Sequence, residues 1–161
     1  MIYTELTKKA MQIAFDVHKD QTDKTGMPYI FHPILVANQM EDETTTCVAL
    51  LHDVMEDGNI TFDYLKKQGF SEEIITAIKY LTHDEKVDYM DYVAKIKENK
   101  IATKVKLADL EHNSDITRLS YIDEKSIYRM QKYKVAIALL KNKKSKKSST
   151  SKTIKKTADK K

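Results

Sequence analysis

Residues 47 to 57 read Cys47-Val48-Ala49-Leu50-Leu51-His52-Asp53-Val54-Met55-Glu56-Asp57. Val48 to Leu51 is apolar nearly all round, and a helix of that kind belongs at the centre of a core. His52 and Asp53 follow directly, so two side chains of metal-binding type leave the end of a buried, rigid element. Thr44, Thr45 and Thr46 offer N-caps ahead of it, which predicts a helix from Cys47 to about Met55. Glu56 and Asp57 then fall at its carboxyl end, where acidic groups oppose the macrodipole, a local conflict that favours function.

Working outward, the periodicity is helical throughout. Leu6, Ala10, Ile13, Ala14 and Val17 lay one stripe along a first helix with His18 at its end. Gly26-Met27-Pro28 punctuates a loop, and Pro33 fits the first turn of a second helix running to Met40. Thr61 caps a short helix closed by Gly69, and Ser71 begins the next, with Ile74, Ala77, Ile78 and Leu81 on one face. Further helices are predicted over 88–98, from 101 or 102 to about 113, and over 123–140. With three Gly, two Pro and no regularly spaced hairpin signals, the expected fold class is all-α.

The chain has 161 residues, 41% of them hydrophobic and 32% charged, which fits one globular domain. Charge is unevenly spread. Residues 141–161 hold ten lysines against Asp159, giving +9, so residues 1–140 carry −5 of the net +4. The expected organisation is a domain over 1–140 and a Lys/Ser/Thr-rich disordered tail over 141–161, too poor in apolar residues to offset chain entropy. That tail offers cations to nucleic acid but no aromatic ring to stack on bases, so a solvated tail is the favoured reading. A single Cys47 excludes an internal disulfide framework. With no long apolar run, no membrane contact and a cytoplasmic location are expected.

Two more residues join His52 and Asp53. His32 precedes Pro33, and Asp109 lies in the apolar-flanked segment Lys106-Leu107-Ala108-Asp109. A buried imidazole or carboxylate without a partner is costly, and one cation satisfies all four groups. A bare His-Asp dipeptide is a weak signal; the ordered set of His, His-Asp, Glu-Asp and a helical Asp is not. His18, His83 and His112 read instead as surface or capping groups.

Three blocks carry a family resemblance: Gly26-Met27-Pro28-Tyr29-Ile30-Phe31-His32-Pro33, then Ala49 to Asp57, then Val105-Lys106-Leu107-Ala108-Asp109 with His112-Asn113. Over residues 6 to 140 the chain resembles the HD-domain metal-dependent phosphohydrolases, and among them the hydrolase domain of the RelA/SpoT type and its stand-alone small relatives. The resemblance implies a helical bundle around one divalent ion, commonly Mn2+, held by His32, His52, Asp53 and Asp109. It also implies removal of pyrophosphate from the 3′ position of guanosine bis-diphosphate alarmones (ppGpp and pppGpp), leaving GDP or GTP. No segment resembles the synthetase half of the long relatives, so a one-way hydrolase is expected.

Glu56 and Asp57 match the family's acidic pair, to which the resemblance assigns orienting or deprotonating the attacking water. Lys24 and Thr25 match a basic-hydroxyl segment, Asn113 a nucleotide contact one turn after the metal-binding Asp, and Tyr133 a tyrosine facing the nucleotide. Lys86 is a further phosphate-contact candidate. Asp23 stands where relatives commonly carry Arg, and Ser114-Asp115 where an apolar residue and often Arg are usual. Two other classes compete: an HD-type phosphohydrolase acting on another nucleotide or dinucleotide phosphate, and a binding module in which hydrolysis is incidental. The complete acid set speaks against the last.

Overall fold

A computed structural model of the chain describes residues 1–119 and 121–142. The elements are α1 (Glu5–His18), α2 (Phe31–Asn38), α3 (Glu43–Leu51), α4 (Val54–Asp57), α5 (Phe62–Lys67), α6 (Glu72–Leu81), α7 (Tyr89–Ile96), α8 (Lys100–Asn113), a 3-10 turn (Ile116–Arg118) and α9 (Glu124–Lys141). Among the described residues the only β pairing is an isolated bridge between Thr22 and Pro28 in the α1–α2 loop. The all-α expectation holds. The lysine-rich stretch from residue 143 onward lies outside the described residues.

Helix α3 is the hub, as its apolar run predicts: every residue from Thr45 to Leu51 is buried, and α1, α2, α6 and α8 pack around it. Leu50, Leu51, Leu65, Ile74, Ile78, Ile96 and Leu110 are fully buried in one continuous core, and Cys47 is completely enclosed within it. Each such side chain contributes roughly 1.5–3 kcal/mol by leaving water.

The boundaries of α3 differ from the sequence expectation at both ends. It starts at Glu43, because Asp42 rather than a threonine is the N-cap, its carboxylate accepting the Thr45 N–H at 2.7 Å and the Thr45 hydroxyl at 2.8 Å. A carboxylate adds charge to the cap bond and complements the positive end of the dipole, so it displaces the hydroxyls and leaves Thr45 and Thr46 as buried helical residues. The helix stops at Leu51. There the His52 imidazole donates from Nδ1 to the Ala49 carbonyl at 2.7 Å, supplying a donor to one of the last-turn carbonyls that the helix end leaves open.

The remaining elements follow their caps. Ser71, Asp88, Asn99 and Asp123 each accept a backbone N–H from the first turn of α6, α7, α8 and α9. Gly69 closes the α5 segment with φ +93°, a conformation that costs glycine nothing. Pro33 sits in the first turn of α2, where its missing N–H is no loss.

Candidate metal centre and cleft

Two helix ends and one helix interior bring the predicted ligands together. His32 comes from the first turn of α2, His52 and Asp53 from the break between α3 and α4, and Asp109 from α8. His32 Nε2 lies 3.2 Å from His52 Nε2 and 3.2 Å from Asp109 Oδ1. Asp53 Oδ2 lies 3.1 Å from His52 Nε2 and 3.7 Å from His32 Nε2. One ligand atom each from His32, His52 and Asp109 falls within 4.8 Å of the other two. His32, His52 and Asp109 are buried, while Asp53 keeps partial access to solvent.

A surrounding set of groups holds these side chains still. The Tyr29 hydroxyl donates to Asp53 Oδ2 at 2.6 Å, and the Asn113 amide donates to Asp109 Oδ1 at 2.5 Å. Lys106 pairs with Asp109 Oδ2 at 2.8 Å, its ammonium 5.6 Å from the Tyr92 ring centroid. On the far side of His32, Nδ1 lies 2.8 Å from His112 Nδ1, which in turn lies 3.1 Å from Arg118 Nη1.

The electrostatics ask for positive charge at the common point. Burial disfavours a proton on His52, but Asp53 and then Asp109 outweigh it and carry the ring up to about 9. Burial likewise opposes ionisation of Asp53 and Asp109, yet His52 for the first and Lys106 for the second hold both carboxyls well below the usual range. A proton on His52 answers two carboxylates only in part. A divalent cation answers both and uses the His52 Nε2 lone pair, which the bond from Nδ1 to Ala49 leaves pointing inward. Two imidazoles and two carboxylates therefore fit a borderline divalent metal.

Glu56 and Asp57 do not terminate a long helix. They lie in α4, a single turn that begins after Asp53, so the macrodipole conflict expected from the sequence has no basis; the break at His52 removes it. Both are exposed. Glu56 Oε1 accepts the His83 N–H at 2.6 Å, and Asp57 Oδ2 lies 3.8 Å from His18 Nδ1. The Glu56 carboxyl is raised by its partial withdrawal from water, and the charge of Asp53 adds to this against the His83 bond. Asp57 is raised for the same first reason and by Asp53.

Beside the cluster lies a cleft of about 350 Å³, whose walls include Lys24, Thr25, Tyr29, Asn113, Arg118, Arg129 and Tyr133. A smaller hollow of about 240 Å³ continues past Lys24, Thr25 and Arg129 to Ser126. The larger volume suits a small organic ligand. Lys24, Arg118 and Arg129 line it together with the carboxylates of Asp23 and Asp115, and burial and the like charges of Arg129 and Lys132 push the Lys24 ammonium below its ordinary value.

Lys24, Thr25, Asn113 and Tyr133 all line the larger cleft. Asn113 already gives its amide to Asp109. Lys86 is not brought to the cleft: it sits in an exposed turn where its backbone N–H bonds to Asp84 at 3.0 Å. His18 and His112 are not surface groups. His18 is fully buried, with Nδ1 2.8 Å from Gln21 Oε1, and His112 is half-buried against His32, where burial, His32 and Arg118 hold its ring down to about 4. Sequence reasoning missed Arg118 and Arg129. Arg129 had a signal, four residues before Tyr133 on one helical face; Arg118 had none, its ion-pair partner Asp23 lying 95 residues away.

No protein-family model matches the chain. It is similar to the guanosine-3′,5′-bis(diphosphate) 3′-pyrophosphohydrolase of Borreliella burgdorferi, 35% identical over 141 residues, covering 77% of this chain and 20% of that protein. It is also 30% identical over 122 residues to the bifunctional (p)ppGpp synthase/hydrolase SpoT of Escherichia coli, covering 66% of this chain and 17% of SpoT. The chain thus spans about a fifth of the length of these curated relatives. Among solved structures it shares the fold of a protein described as a metazoan ortholog of SpoT that hydrolyzes ppGpp and plays a role in starvation responses. That match has a TM-score of 0.72 at 21% identity and covers 88% of both chains. These findings bear out the resemblance to the SpoT-type hydrolase domain.

Proposed function

We propose that this chain, an HD-type relative of the SpoT hydrolase domain, hydrolyses guanosine 3′,5′-bis(diphosphate) alarmones at the 3′ position, releasing pyrophosphate and GDP or GTP. The observation that carries the reading is the convergence of His32, His52, Asp53 and Asp109 beside a cleft into which Lys24 and Arg129 bring positive charge. These four residues would hold one divalent ion, which we take to be Mn2+. When bound, it supplies Lewis-acid polarisation of a phosphate oxygen and acidifies water.

The chain's own residues do the rest. Glu56, with Asp57, takes a proton from the attacking water as its oxygen bonds to the phosphorus; the bond from that phosphorus to the 3′ oxygen breaks, the departing 3′ oxygen takes a proton from solvent to become a hydroxyl, and the proton held by Glu56 returns to bulk water. Lys24 and Arg129 offer charge to the phosphates, Arg129 as a planar fork. Tyr133 presents a ring to the nucleotide. Asp23 does not spoil the wall, because its Oδ2 pairs with Arg118 Nη2 at 2.7 Å and its charge is met inside the loop.

Purified chain supplied with Mn2+ is expected to release pyrophosphate from the guanosine alarmone and to stop when the metal is chelated. Inactivity there with turnover of other nucleotides would transfer the assignment to an HD-type phosphohydrolase of different substrate.

A further inference from the structure

We infer that Arg118 is a positioning residue for the metal centre: acting through His112, it dictates that His32 carries a proton on Nδ1 and presents its Nε2 to the common point of the four ligands. The inference rests on the metal reading above.

A guanidinium can only donate and keeps its charge at any working pH. Arg118 Nη1 carries two hydrogens and lies 3.1 Å from His112 Nδ1 and 3.2 Å from the His112 carbonyl oxygen, a placement that can give one hydrogen to each. In that arrangement His112 Nδ1 bears no hydrogen and the proton of the ring goes to Nε2, which is buried with no hydrogen-bond partner among the described residues. The same Nδ1 lies 2.8 Å from His32 Nδ1, and two bare nitrogens do not approach so closely without a hydrogen between them. That hydrogen is on His32. Its Nε2, 3.2 Å from Asp109 Oδ1 and from His52 Nε2, is then the nitrogen given to the metal.

Arg118 is itself held rigidly. Its Nη2 donates to Asp23 Oδ2 at 2.7 Å, while Asp23 Oδ1 accepts the Thr25 N–H at 2.8 Å, the Thr25 hydroxyl at 2.6 Å and the Met27 N–H at 3.1 Å. The relay runs from the α1–α2 loop through Arg118 and His112 to His32. It gives the departure at Asp23 a purpose: an arginine there would repel Arg118 rather than seat it. Metal-ligating histidines commonly depend on such an outer partner, and its loss typically costs about 10- to 100-fold in metal affinity.

Two measurements test the relay. In two-bond 1H–15N spectra of the metal-free wild-type chain, His112 is expected to carry its proton on Nε2; a proton on Nδ1 overturns the inference without any variant. In Arg118→Met, the Nδ1–H form of His112 is expected to appear, and Mn2+ affinity by calorimetry to fall about tenfold or more. Loss of affinity with His112 unchanged would mark Arg118 as merely structural, and unchanged affinity would end its role at the metal; either overturns the inference. A wild-type chain that takes up no Mn2+ brings down the metal reading itself, whereas equal binding by wild type and variant brings down only the relay.

Discussion

Asp109→Ala is expected to abolish pyrophosphate release and metal uptake, and also to destabilise the fold by about 3 kcal/mol. The two losses have separate causes. Activity fails because Asp109 Oδ1 lies 3.2 Å from His32 Nε2, within the set of groups proposed to hold the metal, and losing Lewis-acid catalysis worth several kcal/mol is a loss of roughly a thousandfold or more in rate. Stability fails because Lys106, whose side chain is only 15% exposed, loses the carboxylate 2.8 Å away and keeps a charge in a poorly hydrated site. Burial lowers the Lys106 ammonium, but Asp109 more than compensates and holds it firmly protonated. The double variant Asp109→Ala with Lys106→Met should recover most of the stability in urea titration and none of the activity. If Asp109→Ala alone unfolds no more easily than wild type, the ion pair is not what secures α8 against the core.

Glu56→Gln should lower turnover by about 10²- to 10⁴-fold while leaving Mn2+ affinity unchanged, because Glu56 contacts His83 rather than the ligand cluster. Its pH signature follows from the raised carboxyl. A general base works ionised, so turnover is lost as pH falls through its pKa, and partial withdrawal from water places that loss above glutamate's ordinary 4.5. The acid limb of kcat should disappear from the residual rate of Glu56→Gln. Unchanged turnover in that variant would remove Glu56 from the mechanism and leave the proton to Asp57.

What could be read from the chain beforehand was set by local physics. The α3 run announced its own burial, and caps such as Thr61, Ser71 and Asp123 act on neighbours within three residues, so they are visible in one dimension. The convergence of His32, His52 and Asp109 could be anticipated for a related reason: each stands beside an apolar or capped segment whose burial the pattern implies. The outer contacts could not. Tyr29 on Asp53, His112 on His32 and Arg118 on Asp23 join residues 24, 80 and 95 positions apart, and no periodicity encodes such pairings. The end of α3 was misread because the competing donor is a side chain, and its reach to Ala49 is a three-dimensional fact.

Cys47 is the sole thiol of the chain, and it lies wholly inside the hub helix. Burial, with Glu43 nearby, pushes it up to about 12, so at neutral pH it is neither ionised nor reachable. Alkylating reagents can then label the protein only during excursions in which the helices around α3 part, and the labelling rate becomes a clock for those openings. Metal or nucleotide that tightens the bundle should slow that clock in proportion to its grip, so occupancy at the centre can be followed from a sulfur atom that touches neither.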